Sequence, residues 1–156
     1  MKIENLLNFA KERTGISHYA LMWKKARVRN NMGNNLKDIL GWDFLTRAEN
    51  NTCYEFYAAQ PPLIGMTQPQ PVNCPLGIVP FNKWNINIDQ AINIFHQQNG
   101  GDYFTEVTLS WPLVHPEANE PYWHFRTNLG NIVVIGANTG QFIVKETTTT
   151  KYFAQN

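Results

Sequence analysis

The chain has 156 residues, of which 13% are aromatic and 16% charged, and its formal net charge is +1. A chain of this length lies within the usual size of one domain and can bury a hydrophobic core without disulfides or metal ions to stabilise it. The small net charge argues against a general nucleic-acid binder, and the mix of many aromatic and few charged residues favours a sheet-rich protein over a disordered chain.

The first predicted element is a helix over residues 3–13, because Ile3, Leu6, Leu7 and Ala10 recur at helical spacing. Acidic and amide residues interrupt the apolar positions of this segment, which is not the pattern of a signal peptide. No stretch approaches the ~20 apolar residues that a membrane span needs. We therefore expect a soluble, cytoplasmic protein that has no membrane partner.

Three strands are predicted in the rest of the first half. Alternating side chains predict a long, partly exposed strand within residues 16–29, and shorter strands are expected over 42–46 and 53–58. Residues 60–86 contain six prolines, which forbid a helix and indicate an extended connection docked against the body. Cys53 lies before this segment and Cys74 within it; two cysteines are too few for a disulfide scaffold, and they either pair in an exported protein or stay reduced.

The second half begins with a helix whose apolar positions share one face: Ile88, Ala91, Ile92 and Phe95. Asn87 or Asp89 can cap this helix, because both side chains accept hydrogen bonds from free backbone N–H groups. Strands are predicted over 103–111, 122–127, 132–135 and 142–144, and alternate residues from Tyr103 to Trp111, Thr105 among them, are expected to share one face.

Both halves follow the same order of helix, glycine, strand, Trp-x-Phe strand and closing strand. The Trp-x-Phe motifs are Trp42–Phe44 and Trp123–Phe125. This order predicts an α+β fold with each helix packed on an antiparallel sheet, built either from two diverged helix-plus-meander repeats or as a single sheet that uses tryptophan twice. The expected organisation is a unit over 1–59, the connection over 60–86 and a second unit over 87–156, which can pack as one domain.

Residues 88–144 resemble a PepSY-type module. The resemblance is carried by a helix that ends in Gly100-Gly101, the Trp-x-Phe strand, and the run from Gly130 to Gly140, Gly-Asn-Ile-Val-Val-Ile-Gly-Ala-Asn-Thr-Gly. The last turn, Ala137-Asn138-Thr139-Gly140, lacks the acidic residue that is common in that family. A similar helix-plus-meander plan occurs in some bacterial immunity proteins. The resemblance implies a cystatin/PepSY-like fold and a noncatalytic binding or inhibitory module, in a family whose members are mostly exported or membrane-attached.

Catalytic and metal-binding patterns are weak. The four histidines, His18, His96, His115 and His124, form no His-x-x-x-His or His-Glu-x-x-His pattern, so neither a metal site nor a cofactor is expected.

Two catalytic arrangements remain as alternatives. His115 with Glu117 and Glu120 would form an acid–base cluster, although a proline-flanked loop of this kind is usually a surface connection. Cys53 or Cys74 would act as a nucleophile with a distant histidine, although neither lies at a helix N-terminus that would lower the pKa of its thiol.

Two groups of residues are candidates for partner binding. The first is the basic stretch Trp23, Lys24, Lys25, Arg27 and Arg29, which is either a site for phosphate or an acidic partner, or an edge strand protected from pairing by its charges. The second is the outward row Tyr122, His124 and Arg126, which is either a binding face or the solvated side of a sheet.

The sequence therefore predicts a noncatalytic interaction protein, of the inhibitor or immunity type, that occludes a protein partner through these eight residues. The alternatives are a small-ligand binder with a pocket between helix and sheet, and a hydrolase with a Cys/His site.

Overall fold

The structure is a computed structural model that describes residues 19–98, 103–113 and 119–145. The predicted N-terminal helix, the Gly100-Gly101 helix end, His115 with Glu117, and the threonine run over residues 147–150 lie outside these ranges. None of the helices in the described ranges is long and apolar enough to cross a membrane.

The described residues form one antiparallel sheet and one α-helix. The strands are β1 (Tyr19–Val28), β2 (Ile39–Ala48), β3 (Cys53–Ala59), β4 (Gln70–Val72), β5 (Phe104–Ser110), β6 (Tyr122–Thr127), β7 (Ile132–Gly136) and β8 (Phe142–Lys145), and the helix is α1 (Ile88–Gln97). The strand order is β4-β3-β2-β1-β5-β6-β7-β8. This confirms the predicted α+β class with a helix on an antiparallel sheet.

The two halves of the chain meet in the middle of the sheet. β1 pairs with β5 in antiparallel fashion, with Trp23 opposite Ser110 and Lys25 opposite Thr108. Each half therefore contributes four consecutive strands, and the order is symmetrical about the β1–β5 pair. That symmetry is compatible with two diverged repeats, and the repeat itself remains a prediction.

α1 covers the inner face of the sheet. The Asn87 side chain accepts from the Gln90 N–H at 2.8 Å, and the Gln90 side chain accepts from the Asn87 N–H at 2.9 Å. This capping box satisfies two donors at the helix start. The ring of Phe95, fully buried, stacks on Phe125 at 5.1 Å and meets Phe104 edge-on at 5.7 Å. These contacts join α1 to β5 and β6.

Two β-bulges change the alternation that the sequence suggests. In β5 the pairing with β6 shifts between Phe104 and Glu106, so Thr105 is an extra residue. Phe104, Val107 and Leu109 are consequently buried on the inner face, and the predicted face that included Thr105 is wrong. In β1 the pairing with β2 shifts between Leu21 and Trp23, so Met22 is the extra residue.

The proline-rich connection is held against the sheet at several points. Leu21 and Phe81 exchange backbone hydrogen bonds of 3.0 and 2.9 Å, and Phe81 is 6% exposed within the main core. Cys53 and Cys74 form a disulfide with a Cα–Cα distance of 5.2 Å, which ties the connection to β3. The open question of cysteine pairing is thus answered by a bond that anchors this segment.

Cys74→Ser is expected to lower the free energy of unfolding by about 3 kcal/mol, because the disulfide closes a loop of 21 residues in the unfolded chain. Cys74 is the partner to change, since it is half-buried whereas Cys53 is 0% exposed. Urea denaturation measures the change. Reduced wild type serves as the control and should match the variant, while equal stability of the variant and the oxidised wild type would contradict the prediction.

Candidate functional site

Beyond the bulge at Met22, strand alternation places successive residues of the basic stretch on opposite faces of the sheet. Lys24 lies opposite Phe44 of β2 and Leu109 of β5, both buried on the inner face. Lys25 lies opposite Asp43 and Thr108, on the face away from α1, which we call the outer face.

The other members of the basic stretch are spread more widely. Arg27 shares the outer face with Lys25, and Trp23 is half-buried there in a small second cluster with Met22 and Leu45. Arg29 follows β1 in an exposed 3-10 turn, Arg29–Asn31. The basic stretch is therefore not one continuous patch.

Arg27 is held in a fixed position on the outer face. Its Nε and Nη2 groups donate to the two carboxylate oxygens of Asp43 at 3.0 and 2.8 Å. Its guanidinium also lies over the Tyr57 ring, 4.1 Å from the centroid. The hydrogen bond with Asp43 raises the pKa of Arg27 above its ordinary value. The paired carboxylate and the ring orient the guanidinium, while the Arg27 side chain stays 56% exposed.

A second charge network crosses β1, β5 and β6. Glu106 pairs with the Lys25 Nζ at 2.5 Å and with the Arg126 Nε at 3.3 Å. The hydrogen bond from Lys25, followed by the charges of Lys25 and Arg126, holds the pKa of Glu106 below its ordinary value against partial burial. Because the side chains of Lys25 and Arg126 are 50% and 53% exposed, these pairs contribute little to stability. Their main effect is to fix the position of the charges.

The outward row of β6 is only partly available. Arg126 belongs to the network, and His124 lies beside it, opposite Thr108. Tyr122 lies on the same face but is 5% exposed, and its hydroxyl donates to Asn119 Oδ1 at 3.3 Å. Burial, and then the charge of Glu120, raise the pKa of Tyr122 above its ordinary value. Tyr122 therefore offers little area for contact.

Two shallow depressions flank Glu106 on the outer face. The larger, of about 560 Å³, is lined on β1 and β2 by Lys25, Arg27 and Asp43. The smaller, of about 260 Å³, is lined by Thr108, His124 and Arg126, with Ile132 on β7. Glu106 borders both. Four of the eight predicted residues therefore line these two depressions of the outer face: Lys25, Arg27, His124 and Arg126.

Lys24 occupies a different environment on the inner face. Its Nζ lies 4.1 Å from the ring centroid of Trp42, 5.2 Å from that of Trp123 and 5.4 Å from that of Trp84. We call Lys24 with these three tryptophans the lysine cage. Burial of the amine lowers the pKa of Lys24 to about 7. Trp42 Nε1 donates to Gln60 Oε1 at 3.0 Å and Trp123 Nε1 donates to the Ile86 carbonyl at 2.8 Å, which fixes both rings.

The sequence contained a signal for this placement that the prediction missed. Tyr19 and Leu21 fall on odd positions of β1, Ala26 and Val28 fall on even positions, and the apolar residues Met22 and Trp23 lie between them. Such a change of phase within one strand indicates a bulge. It would have placed Lys24, together with Ala26 and Val28, on the same face as Tyr19 and Leu21.

The alternative catalytic groups have structural roles where the structure describes them. Glu120 is 4% exposed, and its carboxylate accepts from the backbone N–H groups of Asn138 and Thr139 at 2.8 and 3.0 Å. It thereby holds the turn between β7 and β8. Both cysteine sulfurs are joined in the disulfide, so neither offers a thiolate. No cluster of metal-ligating side chains occurs among residues 19–98, 103–113 and 119–145.

Comparison with known proteins gives no relatives: no family model, no curated protein and no solved structure matches this chain.

Proposed function

We propose that this protein is a noncatalytic interaction protein, of the inhibitor or immunity type, that binds a protein partner with its outer face. The observation that carries the proposal is the arrangement of three cations on one face of the sheet, each held by a carboxylate: Lys25 and Arg27 on β1, and Arg126 on β6. The PepSY-like resemblance of residues 88–144 points in the same direction.

The outer face has the physical properties of a preorganised contact surface. A guanidinium already held by Asp43 and Tyr57 loses less side-chain freedom on binding than a free one. Arginine and tyrosine are also among the residues that contribute most energy at protein interfaces. Arg27 on Tyr57 is therefore the proposed centre of the contact.

The charges of this face indicate the chemistry of the partner. Three cations, Lys25, Arg27 and Arg126, accompany two carboxylates, Asp43 and Glu106, so these five groups carry a net charge of +1. Such a surface favours a partner whose own face carries carboxylates in a matching pattern, because complementary charges set orientation and specificity. An acidic protein fits this requirement better than nucleic acid, which attracts a dense and unpaired basic surface.

The disulfide supports a particular cellular compartment for this protein. Disulfides persist in oxidising compartments and are rare in the cytosol. The Cys53–Cys74 bond therefore supports export to such a compartment rather than the cytoplasmic location that the sequence suggests. Alkylation of the protein in its native compartment, read by mass spectrometry, tests this: unmodified cysteines support export, and two alkylated cysteines contradict it.

The binding proposal is tested by affinity capture with matched baits. Wild type, Arg27→Ala/Arg126→Ala and Lys37→Ala/Lys83→Ala are compared; the last pair removes two exposed cations that lie outside the eight strands. We expect wild type and the Lys37/Lys83 bait to capture one partner in stoichiometric amount. The Arg27/Arg126 bait should bind it at least about tenfold more weakly, a loss of about 1.4 kcal/mol.

Circular dichroism first confirms that all three baits are folded. Capture of the partner in equal amount by the Arg27/Arg126 bait would contradict the proposal, as would the absence of any stoichiometric partner.

A further inference from the structure

We propose that the lysine cage is a binding site for a small carboxylate on a flat apolar or aromatic body, with Lys24 as the ionic anchor. This site lies on the inner face, on the other side of the sheet from the proposed partner-binding surface. The two proposals are therefore independent of one another.

The first argument is the unmet hydrogen-bonding capacity of Lys24. An ammonium group has three N–H donors and no acceptor. No described residue supplies Lys24 with a carboxylate or a hydrogen-bond acceptor; its partners there are the three indole rings. A buried donor without an acceptor costs free energy, and a ligand carboxylate would satisfy it with a charge-assisted hydrogen bond.

The second argument is the shape and polarity of the cage. Trp42 and Trp123 are 4% and 0% exposed and form its closed side. Trp84 is only partly buried and precedes α1, and Lys24 also retains some exposed surface. Lys24 and Trp84 are therefore the members of the cage that solvent reaches. Indole faces favour stacking with a flat apolar group, so the body of the ligand would lie against Trp84 while its carboxylate meets the amine.

The third argument is that the other described ionisable groups on β2, β5, β6 and α1 do not face the lysine cage. Asp43 on β2, Glu106 on β5, and His124 and Arg126 on β6 all lie on the outer face. The imidazole of His96 in α1 contacts the Asn34 carbonyl, and Asp89 and Lys83 are exposed. Lys24 is thus the charged group that these elements direct into the cage.

Burial lowers the pKa of Lys24 to about 7, which gives the proposal a distinctive pH dependence. An amine with that pKa is charged in about nine molecules of ten at pH 6 and in about one of ten at pH 8. Since the ammonium form is the one that binds a carboxylate, affinity should be about tenfold weaker at pH 8 than at pH 6. A merely structural lysine would not produce this change.

The experiment is calorimetric titration of the full chain with benzoate, phenylacetate and indole-3-carboxylate, with benzamide as the neutral control. At pH 6 we expect at least one carboxylate to bind with a Kd of about 1 mM or tighter, and benzamide to bind at least about tenfold more weakly. Lys24→Met should lose at least about tenfold in affinity, and Lys37→Met should bind as wild type does. Trp84→Ala, at a partly exposed ring, is the second variant and should also weaken binding.

Three results would overturn the proposal. These are no binding of any of the three carboxylates, equal affinity in Lys24→Met and wild type, or affinity that does not fall between pH 6 and pH 8. None of these readouts requires the protein partner. A negative result would therefore contradict the carboxylate site without contradicting the proposed binding of a partner to the outer face.

Discussion

Trp123→Ala is expected to lower the free energy of unfolding by about 3–5 kcal/mol, the largest loss that we anticipate from a single substitution. The Trp123 side chain is 0% exposed and packs against Trp42 at 6.0 Å between ring centroids. Its removal leaves a large cavity between β6 and β2 and frees the Ile86 carbonyl from its hydrogen bond. Urea denaturation, followed by circular dichroism, measures the change.

The control for this substitution is Leu129→Ala, because Leu129 is 64% exposed in the turn between β6 and β7. Its free energy of unfolding should stay within about 0.5 kcal/mol of wild type. A loss below about 1.5 kcal/mol for Trp123→Ala would contradict the placement of Trp123 in the centre of the core.

Lys24→Met is expected to raise the free energy of unfolding by about 1–4 kcal/mol at pH 6, because a buried charge is replaced by an apolar chain of similar length. The three indole rings stabilise the ammonium and oppose this gain. Burial outweighs them, since it lowers the pKa of Lys24 to about 7. Urea denaturation at pH 6 measures the difference.

The same variant should also lose a pH dependence that wild type shows. Between pH 7 and about 10.4, the ordinary lysine pKa, the unfolded chain binds the proton of Lys24 more often than the folded chain does. Lys24 therefore makes the stability of wild type rise with pH across this window. Lys24→Met should lack this rise and Lys37→Met should retain it, while parallel curves for Lys24→Met and wild type would contradict the burial of the amine.

The local spacing of apolar residues was sufficient to predict most of the described helix and strands. β6 has its predicted bounds, Tyr122–Thr127, and α1 carries the predicted buried positions Ala91, Ile92 and Phe95. The joining of the halves through β1 and β5 could not be predicted, because strand pairing between distant segments leaves no local pattern. The bulges at Met22 and Thr105 were missed for a related reason: one extra residue moves every later side chain to the other face.

The candidate site was predicted as a set of residues but not as an arrangement. Lys25, Arg27, His124 and Arg126 lie together on the outer face, and the strand alternation of β6 already favoured its outward row. The carboxylates that hold Lys25, Arg27 and Arg126 were not predicted, because Asp43 and Glu106 become their neighbours only through the pairing of distant strands. Lys24 was grouped with the other basic residues because its position on the buried inner face depends on a bulge.

Both proposals depend on the opposite placement of two parts of β1. The Lys24 amine is buried on the inner face, and Lys25 and Arg27 are paired with carboxylates on the outer face. The most direct test is an NMR titration of the Lys24 side chain, assigned by comparison with Lys24→Met. We expect a midpoint near pH 7, the value to which burial lowers the pKa of Lys24. A midpoint near 10.4, the ordinary value for lysine, would place the amine in solvent and contradict the bulge, the cage and the division of the strand.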